Sequence, residues 1–560
     1  MMEIVAVETS VSKIRLQFAR ILVHSAPQDA QALFHQFVMD VCDGDSSDAA
    51  VVGIALHAIE GFMNEMGRSL THKDYGFVLP DFPADNLADA SDAVRRVRRR
   101  HFHAHSAEMS AQTAIVERDR LLGLLTQEQH AGFNLVMSSI NSLRPCNTFS
   151  VISSAGCGKT VLANALAATV RANGRVAICV AASALAAMLL DGGTTAHSKF
   201  HIPIPANDGT VCYFSSAERE LIRRADIVLY DECSMVHSDV ADTVERSFQD
   251  ILRDARPFGG KTIVFMGDFK QLLPVVRYGR GHEHTMQKCA WWRQVTIIKL
   301  TLNWRAVNNP EYAAFLELVG SGELAQIKVP PLSRVDNAAS LIAAVYGDNN
   351  AKQGHQILAL TLETCKMINT LCLGRLPGLL HEHYAADTYV DCRDPDGFPT
   401  DYVESLEMHG APPFTLGLKL GARYMCIKNV DAARGIINGT MLELLSIGSR
   451  TLQVRVMSGP QKGSVDQLTS YVFTITSDAS GLPFSVVRRQ YPLIPAYCLS
   501  VHKAQGQSLE VVGIVFESDP FAHGQAYVAL SRAAGWHRIF VLLRNQEESI
   551  RNLVFKHLII

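Results

Sequence analysis

Between residues 116 and 310, short apolar runs alternate with stretches of helical periodicity, and this alternation constrains the fold more than any other feature. Each run has the length of a strand and ends at polar or small residues. Strands that alternate with helices form a parallel sheet, in which ligands bind at the carboxyl ends of the strands. The runs are NTFSVISSAG, GRVAICVAAS, RADIVLYDEC and GGKTIVFMGDF.

The first run leads into a glycine-rich loop, SSAGCGKT, at residues 153–160. It follows the pattern G-x-x-x-x-G-K-[ST], except that Ser153 stands at the first glycine position. Small residues expose backbone N–H groups to phosphate, and the following helix adds its positive end. We expect Lys159 to reach the β- and γ-phosphates and Thr160 to bind Mg²⁺. The predicted nucleotide-binding residues of the loop are Ser154, Ala155, Gly156, Cys157, Gly158, Lys159 and Thr160.

Two acidic residues, Asp231 and Glu232, follow the strand-like run IVLY. Hydrolysis of a nucleoside triphosphate needs one carboxylate at the metal and another that takes a proton from the attacking water. We assign the metal to Asp231 and the proton to Glu232. An acidic loop that merely caps a helix is the alternative, and the upstream glycine-rich loop argues against it.

Three further residues complete the predicted catalytic set. The segment FMGDFKQLLPV brings Gln271 to the same edge of the sheet, where it can sense the γ-phosphate. The segments TLNWRA and YVALSRA contain Arg305 and Arg532, far apart in the chain. An arginine brought in from a second domain stabilises the charge that develops on a transferred phosphoryl group. The pattern therefore predicts a nucleotide between two domains.

The pattern of predicted secondary structure changes twice in the second half of the chain. Residues 310–410 look mixed α/β, whereas residues 415–490 contain short strands separated by Gly, Asn and Ser. That pattern predicts a small β-barrel inserted into a second α/β unit. Alternating strands and helices return after residue 490.

Composition limits the class of protein and its compartment. The chain has 560 residues, 48% hydrophobic and 19% charged, which is typical of a packed globular protein. A net charge of −3 confines any nucleic-acid surface to a local cleft. The 12 cysteines lack C-x-x-C spacing, which favours reduced thiols. The N-terminus lacks a secretory signal and the longest apolar run, at residues 178–190, is too short for a bilayer, so we expect a soluble intracellular protein.

Nine segments, in this order, resemble the PIF-type DNA helicases of superfamily 1B, and especially the helicase modules of Helitron transposons and large DNA viruses. The resemblance covers residues 120–545, and PFGG before the GDFKQLLPV block is diagnostic within the group. The segments are LTQEQ, SSAGCGKT, AASALAAMLLDGGTTAHSKFHI, DECSMV, PFGGKTIVFMGDFKQLLPV, LTLNWRA, GIINGT, SVHKAQGQSLE and HGQAYVALSRA.

The resemblance implies an ATP-driven motor that moves 5′ to 3′ on single-stranded DNA and unwinds duplex DNA. By motif match, Gln129 of LTQEQ is the adenine contact, Gln271 the γ-phosphate sensor, and Arg305 and Arg532 the arginine fingers. Hydroxyls and cations hold strand phosphates, and an aromatic ring stacks on a base. The residues that match the strand-contacting motifs are Ser183, His197, Phe200, His502, Lys503 and Gln505.

The resemblance also supplies a domain plan, two RecA-like motor domains with a small wedge in the first and an SH3-like barrel in the second. The predicted partners are single-stranded and forked DNA, with replication or recombination proteins and no membrane. A nuclear location, or the host nucleus for a viral protein, is favoured by the DNA substrate and the arginines at 95–100. The boundaries are 1–115 (mainly helical, unknown function), 116–300 (first RecA-like domain with wedge), 301–410 (second RecA-like domain, first part), 411–490 (SH3-like domain) and 491–560 (second RecA-like domain, remainder).

Three other functions stay open at this point. HFHAH at residues 101–105 has the His-hydrophobic-His pattern of rolling-circle nucleases, but the chain before it is too short for that domain. A DNA-binding clamp without unwinding would need a broken catalytic set, whereas Lys159, Asp231 and Glu232 are present. An RNA helicase of the same superfamily is the nearer rival, because the residues do not reveal discrimination of the 2′-hydroxyl.

Overall fold

The structure, a computed structural model, describes most of the chain from residue 111 onward. The mainly helical region predicted at 1–115, with its arginine run and HFHAH, lies almost entirely outside the described residues. The described ranges are 111–141, 148–276, 281–347, 353–390, 408, 410–431, 434–459, 461–477, 482–544 and 547–559, with scattered positions between 18 and 77.

A six-stranded sheet organises the first α/β half. Its strands are β1 Thr148–Ser153, β2 Val176–Ala181, β3 Thr194–Thr195, β4 Ala225–Asp231, β5 Thr262–Gly267 and β6 Thr296–Leu300. The spatial order is β3-β2-β4-β5-β1-β6, and every neighbouring pair is parallel. The parallel sheet predicted from the alternation of strands and helices is therefore confirmed.

Helices connect these strands and cover both faces of the sheet. They are α1 Ala111–Leu122, α2 Gln127–Asn141, α3 Lys159–Ala172, α4 Ala184–Leu189, α5 Ala196–Phe200, α6 Ser216–Arg224 and α7 Ser238–Leu252. Helix α6 begins at a capping box, in which Ser215 accepts from the Glu218 backbone and the Glu218 carboxylate accepts in return. Such reciprocal bonds satisfy two backbone donors that a helix start leaves unpaired.

Alternate residues of β5 enter two different hydrophobic clusters. Val264 and Met266 pack with α3, whereas Ile263 and Phe265 pack with α7 and an aromatic group around Trp291. Successive side chains of a strand point to opposite faces, so the sheet is buried on both sides. Each buried large apolar side chain stabilises the fold by about 1.5–3 kcal/mol.

Residues 301–377 begin a second α/β half. The elements are α8 Pro310–Gly320, β7 Gln326–Lys328, β8 Arg334–Val335, α9 Ala338–Tyr346, β9 His355–Ala359 and α10 Leu362–Arg375. Pro310 stands at the first position of α8, where its missing N–H costs nothing, and Asn309 caps the helix through the Tyr312 N–H.

An antiparallel β region then interrupts this half and belongs to a separate compact unit. Its strands pair as β16-β15-β14-β13-β19, β11-β18-β17 and β10-β12. Antiparallel pairing begins at residue 381, ahead of the predicted start at 411, because β10 and β11 are short and largely exposed and carry no apolar signal. The strands are β10 His381–Tyr384, β11 Ala386–Val390, β12 Thr415–Leu418, β13 Arg423–Cys426, β14 Met441–Ile447, β15 Leu452–Val456, β16 Val465–Leu468, β17 Tyr471–Ile475, β18 Ser485–Gln490 and β19 Leu493–Pro495.

A buried ion pair fastens β11 to β18 within this unit. Asp387 and Arg488 lie opposite each other in the antiparallel register. Arg488 Nε donates to Asp387 Oδ1 at 2.9 Å and Nη2 donates to Oδ2 at 2.7 Å, with both side chains almost fully buried. Arg488 Nη1 also donates to the Pro412 carbonyl at 3.2 Å. The bidentate geometry fixes the register of the two strands.

The chain then completes the second parallel sheet. The remaining elements are β20 Cys498–Ser500, β21 Val511–Phe516, α11 Gln525–Leu530, β22 Ile539–Leu543 and β23 Ser549–Arg551. The sheet order is β20-β9-β21-β22-β8, all parallel, and β23 pairs with β7. Buried Asn369 pins β20, since its Oδ1 accepts from the backbone N–H groups of Tyr497 and Cys498.

The described part of the chain contains no helix long and apolar enough to cross a membrane. Within the same ranges, nine cysteines are buried and carry free thiols.

Candidate functional site

The glycine-rich loop leaves the end of β1 and enters α3 without a side-chain cap. Gly156 and Gly158 have φ of +86° and +78°, in the left-handed region that favours glycine. A Cβ at Gly156 would lie 2.8 Å from Arg305 Cβ, and one at Gly158 would lie 2.5 Å from Gln129 Nε2. The loop therefore needs glycine for its conformation and for close packing.

Lys159 folds over this loop. Its Nζ donates to the Ser153 carbonyl and to Ser153 Oγ, both at 3.0 Å, and to the Ser154 carbonyl at 3.3 Å. Ser153 thus does more than replace a glycine, because its hydroxyl accepts a bond from the lysine that we expect to bind phosphate.

Gln129 is 2% exposed and supports the glycine-rich loop through hydrogen bonds. Its Nε2 donates to the carbonyls of Gly158 at 3.1 Å and Cys157 at 3.3 Å, while Oε1 accepts from the Thr126 backbone at 2.8 Å. Thr126 Oγ1 accepts from the Gln129 backbone at 3.2 Å, which completes a capping box. The Gln129 amide, which the motif predicts to contact adenine, therefore binds the glycine-rich loop in this structure.

Asp231 and Glu232 lie at the carboxyl end of β4, next to β5. Glu232 has φ +54°, a left-handed conformation that costs free energy in a residue with a Cβ and is typical of functional sites. The Glu232 N–H donates to Asp231 Oδ1 at 2.8 Å. Burial raises the pKa of Asp231, and burial together with the Asp231 charge raises the pKa of Glu232 to about 7.

Gln271 reaches the same edge from the end of β5 and is 3% exposed. Its Nε2 donates to Asp268 Oδ2 at 2.9 Å. Among the described residues, Gln271 Oε1 and Glu232 Oε2 are buried acceptors without a hydrogen-bond partner. Buried polar atoms are normally paired, so these two oxygens indicate a place for a donor.

Arg305 and Arg532 come together in the structure despite their separation in sequence. Arg305 Nη1 donates to the Ser531 carbonyl at 2.6 Å, and Arg532 Nη2 donates to Ser531 Oγ at 2.8 Å. Burial and the Arg532 charge lower the pKa of Arg305 to about 10. Burial also lowers the pKa of Arg532, whereas the Glu232 charge opposes that shift. Both predicted fingers therefore lie in the cleft with Glu232.

Three residues of the cleft were not singled out from the sequence. Trp304 is 49% exposed, and its backbone N–H donates to the Gly156 carbonyl at 2.9 Å. Lys270 Nζ donates to Ser154 Oγ at 3.2 Å and forms an ion pair with Glu317 of α8. Ser154, Lys270 and Glu317 line a cavity of about 980 Å³. The signal for Trp304 was its place in TLNWRA beside Arg305, whereas no motif pointed to Glu317.

A fourth unpredicted residue is Tyr527 of α11. Its hydroxyl donates to Asp268 Oδ2 at 3.1 Å and accepts from the Ala155 backbone N–H at 3.2 Å. Tyr527 stands in YVALSRA, five positions before Arg532, so the motif contained the signal.

The predicted strand contacts have mixed positions. His197 and Lys503 are exposed, and His502 is half-buried. Ser183 caps α4, where its Oγ accepts from the Ala186 N–H at 3.2 Å and its own hydrogen stays available.

Two of the predicted strand contacts are buried, and the one at Phe200 needs correction. Phe200 is 1% exposed and packs edge-to-face against Phe248 in the core, so it offers no stacking face to a base. Gln505 is 8% exposed and lies in the loop whose Ala504 and Gln507 carbonyls accept from Arg532. Among the described residues, Gln505 Nε2 and Oε1 are buried without a hydrogen-bond partner, and its contact with the strand stays a prediction.

A glycine-rich loop, a buried acidic pair and two arginines come together beside two parallel sheets, an arrangement typical of P-loop nucleotide-binding proteins. The sequence model described as PIF1-like helicase matches residues 124–327, and that described as DNA helicase Pif1, 2B domain, matches residues 401–446. Over these residues the chain is similar to the PIF1-like helicases.

Curated relatives and solved structures are similar to the chain over longer ranges. The human ATP-dependent DNA helicase PIF1 is 29% identical over 401 residues, which are 70% of this chain and 57% of the human protein. The chain thus spans less than two thirds of the length of that relative. A structure of Bacteroides Pif1 bound to single-stranded DNA has a TM-score of 0.55 at 23% identity and covers 78% of this chain and 94% of its own. A structure of two coordinating Pif1 helicases at forked double-stranded DNA has a TM-score of 0.57 at 24% identity, with the same coverage.

Proposed function

We propose that this protein is an ATP-dependent DNA helicase that moves 5′ to 3′ on single-stranded DNA and separates duplex DNA during replication, recombination or repair. The observation that carries the proposal is the convergence of Lys159, Glu232, Gln271, Arg305 and Arg532 on one cleft. The unpaired oxygens of Glu232 and Gln271 support hydrolysis rather than binding alone, because an attacking water could donate to both.

The residues of the cleft fit ATP and Mg²⁺. The loop N–H groups and Lys159 suit the phosphates, and Trp304 and Gln129 border the place proposed for adenine. Thr160 and Asp231 are the oxygen ligands that Mg²⁺ prefers, and an Asp231 carboxylate whose pKa is raised by burial would gain from a cation. When bound, the cation would neutralise charge on the phosphate oxygens.

The hydrolytic step follows from these positions. Glu232 takes a proton from the water while Gln271 orients it, and Arg305 and Arg532 stabilise charge on the γ-phosphoryl group. Arg305 belongs to the segment that joins the two halves, and Arg532 belongs to the half built around the second parallel sheet. ATP that contacts both arginines therefore pulls the two halves together, and hydrolysis releases them. Alternating grip through Ser183, His197, His502 and Lys503 would turn that cycle into steps along the strand.

Two further proposals concern the fold of the antiparallel β unit and the location of the protein. The antiparallel β unit at residues 381–495 is an SH3-like barrel inserted into the second half, supported by its run of short antiparallel strands. The protein acts in the nucleus, supported by its proposed DNA substrate and by the arginines at 95–100, which lie outside the described residues.

The test compares ATP hydrolysis by the wild type and by Lys159→Ala, with single-stranded DNA and with RNA of the same sequence. We expect DNA to stimulate the wild type strongly, and Lys159→Ala to lose turnover while keeping its circular dichroism spectrum. Turnover retained in Lys159→Ala would refute the mechanism. Equal or greater stimulation by RNA would replace the DNA helicase with an RNA helicase.

A further inference from the structure

Tyr527 connects the second half of the chain to the centre of the nucleotide site. Its ring is 1% exposed, and its hydroxyl lies between Asp268 Oδ2 at 3.1 Å and the Ala155 N–H at 3.2 Å. Ala155 belongs to the glycine-rich loop, and Asp268 follows β5. One buried hydroxyl of α11 therefore contacts two separate catalytic segments.

Asp268 extends this connection to Gln271. The oxygen that accepts from Tyr527 also accepts from Gln271 Nε2 at 2.9 Å. A carboxylate can only accept, so the Gln271 amide must turn its N–H toward Asp268 and its oxygen away from it. That oxygen is buried and has no partner among the described residues. The network thus determines that Gln271 presents an acceptor to the cleft.

We propose that Tyr527 is a positioning residue for ATP hydrolysis, acting through Asp268 to keep the Gln271 amide oriented toward the attacking water. The inference rests on the proposed ATPase function. In the step, the water oxygen bonds to the γ-phosphorus, the bond from that phosphorus to the β–γ bridging oxygen breaks, and Glu232 takes the proton. Gln271 Oε1 accepts from the second hydrogen of the water and thereby fixes the line of attack.

The same contact makes turnover depend on the position of α11. Tyr527 lies in the short helix that leads into Arg532, on the half built around the second sheet. If α11 moves away from the glycine-rich loop, both bonds of the hydroxyl are lost together, and Tyr527 no longer holds the Asp268 carboxylate that orients the Gln271 amide. Water attack is then favoured only while the two halves are closed.

The experiment is Tyr527→Phe with Tyr312→Phe as the matched control. Tyr312 is 2% exposed, and its hydroxyl donates to the Leu530 carbonyl of α11 at 2.8 Å. Both variants therefore delete one buried hydroxyl that contacts or belongs to the same helix. We expect Tyr527→Phe to lower the DNA-stimulated kcat at least tenfold with the KM for ATP within twofold. We expect Tyr312→Phe to keep kcat within twofold of the wild type.

A double variant tests whether the effect passes through Gln271. Adding Tyr527→Phe to Gln271→Ala should cause no further loss of kcat, because the positioned amide is already absent. If Tyr527→Phe does not fold, Asp268→Asn replaces it and should give the same loss, since its amide can donate and turn Gln271.

The outcomes separate this inference from the proposed function. A wild type without ATP turnover overturns the function itself. A wild type that turns over ATP, with Tyr527→Phe equal to Tyr312→Phe or changed only in KM, overturns the positioning role.

Discussion

The ionisation of Glu232 should determine the pH below which ATP turnover is lost. Burial and the Asp231 charge raise its pKa from the ordinary 4.5 to about 7. Only the carboxylate can take a proton from water, so activity is present above this pH and is lost as the pH falls through it. An unperturbed glutamate would stay ionised down to about pH 4.5 and would give no loss in this range.

The expected size follows from the fraction ionised. With a pKa of about 7, half of the Glu232 side chains carry charge at pH 7 and about a tenth at pH 6. The value of kcat/KM for ATP should therefore fall about fivefold from pH 7 to pH 6 and about threefold more from pH 6 to pH 5.5. Glu232→Gln should lower kcat by about 10²- to 10⁴-fold at pH 8.5, and its residual activity should not follow the wild-type loss at lower pH, because the general base is gone.

The assay is initial-rate ATP hydrolysis with saturating Mg²⁺ and single-stranded DNA between pH 5.5 and 8.5. The quantity kcat/KM is used because its pH profile reports groups of the free enzyme. A circular dichroism spectrum at each pH excludes unfolding, and binding of a fluorescent ATP analogue separates binding from chemistry. A flat profile from pH 8.5 to 5.5, with the protein folded, would refute the role assigned to the raised pKa of Glu232.

Three substitutions test other parts of the structure. Gly158→Ala should abolish ATP binding in a nucleotide titration, because its φ is +78° and the added Cβ would lie 2.5 Å from Gln129 Nε2, whereas Gly374→Ala on open α10 should bind normally. Arg305→Ala should reduce DNA-stimulated kcat by about 10³-fold, as expected for an arginine finger, and a loss below tenfold would contradict that role. Asp387→Ala should destabilise the β unit by about 3–5 kcal/mol in chemical unfolding because it leaves Arg488 buried without its partner, and an unchanged midpoint would contradict the importance of this pair.

The sequence predicts the first sheet well because its strands are apolar and their ends are polar. Both features follow from burial on two faces and from a ligand-binding edge, and they are visible without tertiary information. By contrast, β10 and β11 are largely exposed, so their residues show no apolar alternation and the antiparallel region begins earlier than expected.

A motif match does not predict the direction in which a side chain points in the folded protein. Phe200 and Gln505 stand in strand-contacting motifs, yet Phe200 packs in the core and Gln505 is buried near the loop held by Arg532. Gln129 matches the adenine contact, but its amide is engaged with the glycine-rich loop. Tyr527 stands in the motif YVALSRA, but its contacts with Ala155 and Asp268 follow from the fold and not from the motif.

Unwinding of forked DNA tests the central claim most directly. The substrates are one duplex carrying a single-stranded tail at either the 5′ or the 3′ end, with ATP and Mg²⁺ present. The proposed function predicts that the 5′-tailed duplex is opened by the wild type but not by Lys159→Ala, and that the 3′-tailed duplex stays closed. Opening of the 3′-tailed duplex would contradict the polarity, and failure to open either duplex despite DNA-stimulated ATP hydrolysis would contradict the helicase itself.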